Sequence, residues 1–166
     1  MTILGISVGT TRTGVCVLKD GVLQDRRVHD YKTMWSDGKL HAILKDYRHY
    51  ILKHNVTAII LKIPPLNNHT PAVRRLLRRL EALAREYSIM FDLITKTELK
   101  SFTGARSTDE LIDYTRRLYP ELNVLYDKGI SNHHNYNKKL FEAVLSAHVF
   151  QEKQRIRALQ IERATQ

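Results

Sequence analysis

Between Ile3 and Val28 the chain leaves itself almost no choice of pairing. Ile3–Val8 is a short apolar run. It ends in a glycine-bounded polar turn, Gly9-Thr10-Thr11-Arg12-Thr13-Gly14, and a second run, Val15-Cys16-Val17-Leu18, comes at once. Asp20-Gly21 then separates that run from Val22–Val28. An Asp-Gly pair tolerates the positive φ of a two-residue type I′ hairpin. Turns this short join antiparallel neighbours, because parallel strands need a crossover of a dozen or more residues. The chain therefore opens as three antiparallel strands.

Helices and strands then alternate. Ser36 and Asp37 can cap a helix running to about His54, with Leu40, Ile43, Leu44, Tyr47 and Ile51 on one face. Val56–Ile63 is apolar apart from Thr57 and Lys62, the pattern of a central buried strand, and Pro64-Pro65 stops it. Thr70 caps the next helix and Pro71 enters its first turn. That helix runs to Tyr87, with Val73, Leu76, Leu77, Leu80, Leu83, Ala84 and Tyr87 at helical spacing. Ile89–Ile94 reads as the fifth strand. Ser107-Thr108-Asp109-Glu110 is a capping box that opens a helix to about Leu118. Pro120–Asn135, which holds Gly129 and several Asn and His, reads as a loop. A last helix starts near Tyr136 or Asn137 and runs past Glu152 into a polar tail, about 151–166. The order β-β-β-α-β-α-β-α-α predicts an α/β fold. It is a mixed five-stranded sheet, three antiparallel strands then parallel crossovers, with helices on both faces. One domain spanning 1–166 is the natural reading of 166 residues.

The formal net charge of +10 points to a polyanionic partner, since each cation set on a phosphate releases counterions. Acidic lipid is the competing partner. There is no apolar run of 18 residues, so no membrane span is expected, and the N-terminus reads straight into a strand, so no signal peptide is expected. Cys16 is alone, which excludes an internal disulfide and a thiolate zinc cage. In an apolar strand it reads as a small buried hydrophobe, and a cytoplasmic setting fits.

Three segments carry a family likeness. The first strand with its Gly9-Thr10-Thr11 turn resembles the opening of the RuvC-type Holliday-junction resolvases of the ribonuclease H-like superfamily. Lys100 followed by Phe102-Thr103-Gly104, a short loop and a capped helix is similar to the segment after the family's fifth strand. Glu142-Ala143 looks like its terminal Asp-Ala segment. The turn also resembles the phosphate loop of sugar kinases and heat-shock ATPases. Those proteins duplicate the domain, and this chain is too short for two copies.

The resemblance implies the ribonuclease H-like fold and a site of four acidic side chains that hold divalent metal ions. Carried over position by position, those four fall on Ser7, Lys62, Lys139 and Glu142. A site with four negative charges in the family thus carries one net positive charge here. Mg²⁺ needs oxygen ligands, usually carboxylates with substrate phosphates. Unit charges 4 Å apart interact by roughly 4 kcal/mol at the effective dielectric of a protein surface. Two lysines therefore outweigh the single Glu142 against a cation, and two-metal hydrolysis needs both ions. The same lysines suit direct contact with phosphate. Pro65 stands near the place of a family aromatic that helps to open the junction by stacking, and proline cannot stack in that way.

The expected function is nucleic-acid binding without cleavage, DNA favoured over RNA by the resemblance, with no metal cofactor. The expected contacts are Lys62, Lys100, Lys138 and Lys139, the arginines Arg74, Arg75, Arg78 and Arg79 on one amphipathic helix, and Arg106 beside a helix start. The four arginines read equally well as a solvated face balanced by Glu81 and Glu86. Two alternatives stay open. One is an active Mg²⁺- or Mn²⁺-dependent Holliday-junction nuclease, its ligands rebuilt from acids such as Asp25, Asp30, Asp92, Glu98 and Asp127. The other is a non-enzymatic assembly subunit, a homodimer as RuvC is. His133-His134 have metal-ligand chemistry but no third His or Cys at ligand spacing, so a polar loop is the expectation. His148 reads as a hydrogen-bonded core histidine, and Tyr31 and Trp35 as packing residues.

Overall fold

The computed structural model describes the backbone of residues 1–127 and 133–166 and the side chains of residues 1–125 and 136–166. It opens with β1 (Thr2–Ser7), β2 (Arg12–Lys19) and β3 (Val22–Asp30), joined antiparallel. Asp20 and Gly21 form the β2–β3 turn at φ of 49° and 82°, the left-handed region that such a hairpin requires. Next comes α1 (Asp37–His54), whose Ser36 cap accepts a hydrogen bond from the Lys39 backbone N–H. β4 (Ala58–Lys62), α2 (Pro71–Glu86) and β5 (Met90–Ile94) come after it, with Thr70 capping α2. The chain then turns helical: α3 (Lys96–Thr103), α4 (Thr108–Leu118), α5 (Asn123–Asp127) and α6 (His133–Ala164). The sheet order is β3-β2-β1-β4-β5, with β1, β4 and β5 parallel, as the element order predicts.

Three local expectations need correcting. α3 is an added helix, yet its signal is in the sequence. Thr95 accepts from the Glu98 N–H, and the Glu98 carboxylate accepts from the Thr95 N–H, a complete capping box. Pro120–Asn135 is not simply loop: Pro120–Leu122 is a single 3₁₀ turn and α5 comes directly after it. Gly129 lies outside the described residues, and α6 already begins at His133. At α4 the box is also incomplete. Ser107 Oγ accepts from the Glu110 N–H at 3.2 Å, but the Glu110 carboxylate accepts from the N–H of Arg106.

Strand alternation splits the core between the sheet's two faces. Ile3, Cys16, Leu18, Ala58 and Ile60 pack with α3, α4 and α6. Leu4, Ile6, Val15, Val17, Ile59 and Leu61 pack with α1 and α2 on the other face. Cys16 is fully buried, and burial pushes its thiol up to about 12. His148 meets the Tyr119 hydroxyl at 3.0 Å, and Tyr31 and Trp35 pack against the second core. α6 continues to Ala164, with residues 155–164 exposed along it. No described helix is long and apolar enough to cross a membrane.

Two glycines let α6 lie directly on the sheet. A Cβ at Gly5 would sit 2.5 Å from the Ala143 carbonyl oxygen, and one at Gly14 would fall on the backbone of Lys139. Backbone cannot yield as a flexible side chain can. Gly14→Ala is therefore expected to destabilise the chain by about 3 kcal/mol or more, the upper end of overpacking costs, as a drop in the urea midpoint. An unchanged midpoint would mean that α6 does not seat this closely.

Candidate functional site

The site forms where α6 crosses the carboxyl ends of the central strands. Parallel pairing sets Ser7 of β1 beside Lys62 of β4, and both residues share the strand parity that faces α6. Gly14, opposite Ser7 on β2, leaves the space into which the Lys139 turn of the helix settles. Lys139 and Glu142 are three residues apart on α6 and so lie on one face. Glu142 thereby comes down onto the strand ends and is 4% exposed.

Its carboxylate is fully engaged. Oε2 accepts from Ser7 Oγ at 3.0 Å and faces Lys62 Nζ at 2.8 Å. Oε1 faces Lys96 Nζ at 3.3 Å. Burial pushes the carboxyl up. The Lys62 charge and hydrogen bond, with Lys96 and Ser7, more than reverse this and hold it below the usual carboxylate range. Ser7 is completely buried and acts as a donor to Glu142.

Around this pair is a cleft of about 260 Å³ lined by Arg12, Lys62, Lys96, Lys138, Lys139 and Glu142. Lys139 Nζ donates to the Val8 carbonyl at 3.1 Å and lies over Gly9. Burial, then the neighbouring Lys62, lowers the Lys139 ammonium. Burial and Lys96 lower Lys138 in the same way. Lys96 also donates to Thr108 Oγ1 at 3.0 Å, which ties the start of α3 to that of α4. Arg12 is held by Asp30 at 3.0 Å and lies 4.5 Å from the centre of the Tyr136 ring.

Ser7, Lys62, Lys139 and Glu142 thus come together, and Lys138 joins them. Lys96 and Arg12 are additions that sequence reasoning missed. Lys96 stands next to the Thr95 cap directly after β5, so recognising α3 would have placed it at the same strand ends. Lys100 is one turn further along α3, and neither it nor the exposed Arg106 lines the cleft. The α2 arginines do not extend this surface. All four are exposed, but α2 packs on the sheet face opposite α6, and Arg75 pairs with Asp37. In the loop after β4, Leu66, next to Pro65, is 81% exposed.

The other acids have local partners. Asp25 meets His54 at 3.2 Å and Lys53 at 3.7 Å, and Asp30 holds Arg12. Asp92 accepts from the Leu93 N–H, and Glu98 belongs to the α3 cap. The side chains of Asp127, His133 and His134 lie outside the described residues. Among the described residues no three His, Cys, Asp or Glu cluster as metal ligands do. At the cleft, one hydroxyl, four ammonium groups, a guanidinium and a carboxylate with both oxygens taken do not suit a hard divalent cation.

No protein-family model matches this chain, and no curated protein matches it either. Solved structures do. Thermus thermophilus RuvC matches with a TM-score of 0.71 in two structures, one of them in complex with a Holliday junction substrate. Identity is 15% and 16%, and each match covers 93% of this chain and 96% of that one. The chain is RuvC-like in fold. Fowlpox virus resolvase, in complex with Holliday junction DNA, matches with a TM-score of 0.53 at 12% identity, over 93% of this chain and 99% of that one. The RuvC-like architecture therefore spans nearly the whole chain and places the lysine cleft at its strand ends.

Proposed function

We propose that this RuvC-like chain binds DNA through the lysine cleft and does not cut it. The observation that carries the reading is the double engagement of Glu142. Lys62 and Lys96 occupy its two oxygens, so the cleft offers ammonium groups where a nuclease needs metal-binding carboxylates. Cations gathered in a cleft at the strand ends bind phosphate by charge and by counterion release, with no need for a metal. Branched DNA is the first substrate to test, because the matched RuvC and poxvirus resolvase are both seen with Holliday junctions. DNA is preferred over RNA on the same ground. A single domain acting in a reducing, cytoplasmic compartment, singly or as a homodimer, completes the reading.

The test pairs binding with cleavage. A labelled four-way junction and the matching duplex should bind with an affinity that falls steeply with salt. Neither should be cut in Mg²⁺ or Mn²⁺. Cutting that disappears in Glu142→Ala would make the chain a working nuclease. Absence of salt-sensitive binding to any DNA or RNA would favour an assembly subunit.

A further inference from the structure

We propose that the space between Lys62, Lys96, Lys138 and Lys139 receives one phosphate group, and that Glu142 is its built-in competitor, holding Lys96 until a phosphate draws it away. The inference rests on the reading of the cleft as a DNA-binding site and adds what that site takes and what restrains it.

The two lysines on Glu142 are not equivalent. Lys62 closes on Oε2 at 2.8 Å with its side chain 10% exposed, an inner pair sealed by Ser7. Lys96 stands 3.3 Å from Oε1 with its side chain 28% exposed. It has the longer contact and the easier path to solvent, so it is the cation that an incoming anion can recruit. Lys138 lies beside Lys96, and their like charges oppose each other. Among the described residues Lys139 spends one of its three donors, on the Val8 carbonyl. One carboxylate thus faces four ammonium groups across a single cleft. Adding an anion relieves that crowding, and an anion that brings more oxygens than a carboxylate relieves it further. All four lysines line one cleft of about 260 Å³, which has room for a phosphate group. Lysine binds phosphate as a point charge and needs no fixed fork geometry.

Inorganic phosphate is the probe, titrated by calorimetry at low chloride into the parent, Glu142→Gln and Lys96→Gln. Glutamine keeps the shape of Glu142 and an acceptor for Ser7 but removes the competing charge. Phosphate should bind Glu142→Gln about ten-fold more tightly than the parent, and Lys96→Gln more weakly than the parent. Glu142→Gln should also melt lower without phosphate and recover as phosphate is added, since a ligand of the native state stabilises it by mass action. Equal or weaker phosphate binding by Glu142→Gln would overturn the competitor role and make the carboxylate an organiser of the lysines. If that variant does not fold, NMR of the lysine ammonium groups in the parent decides. Phosphate should move the Lys96, Lys138 and Lys139 signals and leave Lys62 in place. Movement of Lys62 without Lys96 overturns the assignment. Four-way junction binding by the parent, measured alongside, separates the two readings. Salt-sensitive junction binding without the phosphate effects overturns only this inference. Phosphate binding without junction binding overturns the proposed function.

Discussion

Replacing Lys96, Lys138 and Lys139 together with glutamine is expected to weaken DNA binding at least about a hundred-fold at low salt. The log–log salt slope should become shallower by about 0.9 for each phosphate no longer neutralised on duplex DNA. Glutamine preserves length and polarity, so the change isolates charge. Lys62 is left in place because its ammonium is closed on Glu142, and removing it would strip a buried carboxylate of its nearest partner. The loss should be similar across sequences, since phosphate contacts position a protein without reading bases. The control is Arg74, Arg75, Arg78 and Arg79, all changed to glutamine. That variant removes more charge from the chain, but from the sheet face opposite α6. Titration by fluorescence anisotropy over a range of salt would check both. If the arginine variant loses more affinity than the lysine variant, binding runs along the α2 surface and the cleft is not the site.

Glu142→Leu is expected to cost about 3–5 kcal/mol of stability, the usual result of breaking one side of a buried ion pair. It would leave Lys62, itself 8% exposed, without its carboxylate and Ser7 without its acceptor. Ser7→Ala removes one hydrogen bond and should cost about 1 kcal/mol. Adding Lys62→Met to Glu142→Leu should recover much of the loss, because an apolar pair of similar volume avoids burying charge. Urea denaturation of the single and double variants reports these differences. The pH dependence has a definite sign. Glu142 has a folded pKa below its ordinary value of 4.5, so it binds a proton less readily folded than unfolded. Its contribution is present above pH 4.5 and disappears as the pH falls through the lower folded value. The parent should thus lose stability on acidification across that window, and Glu142→Leu should lose less. Equal acid sensitivity in the two would show that other carboxylates dominate acid unfolding.

Much of the fold is legible in the sequence because its signals are local. Asp20-Gly21, Ser36 and Thr70 with Pro71 each satisfy backbone groups or set φ within a few residues, and the elements begin and end where those residues stand. The capping box Thr95–Glu98 is equally local, and reading past it hides α3 and with it Lys96. The place of the α2 arginines relative to the cleft is hidden from sequence reading for a different reason. A charged stripe shows which side of a helix meets solvent, but not which face of the sheet the helix covers. The handedness of crossovers supplies that. α1 and α2 both carry the chain in the same direction across the sheet, from β3 to β4 and from β4 to β5. Right-handed connections then put both helices on one face, away from α6.

Residue type and spacing alone make the element order and the antiparallel opening legible. Only the tertiary structure decided what Glu142 does. Its partners Ser7, Lys62 and Lys96 lie on β1, β4 and α3, more than 40 residues from it in the chain. They meet because parallel pairing aligns the strand ends and because Gly5 and Gly14 let α6 lie against them. Electrostatic energy depends on distances of a few ångströms and on exclusion of water, and those are set by packing rather than by sequence separation.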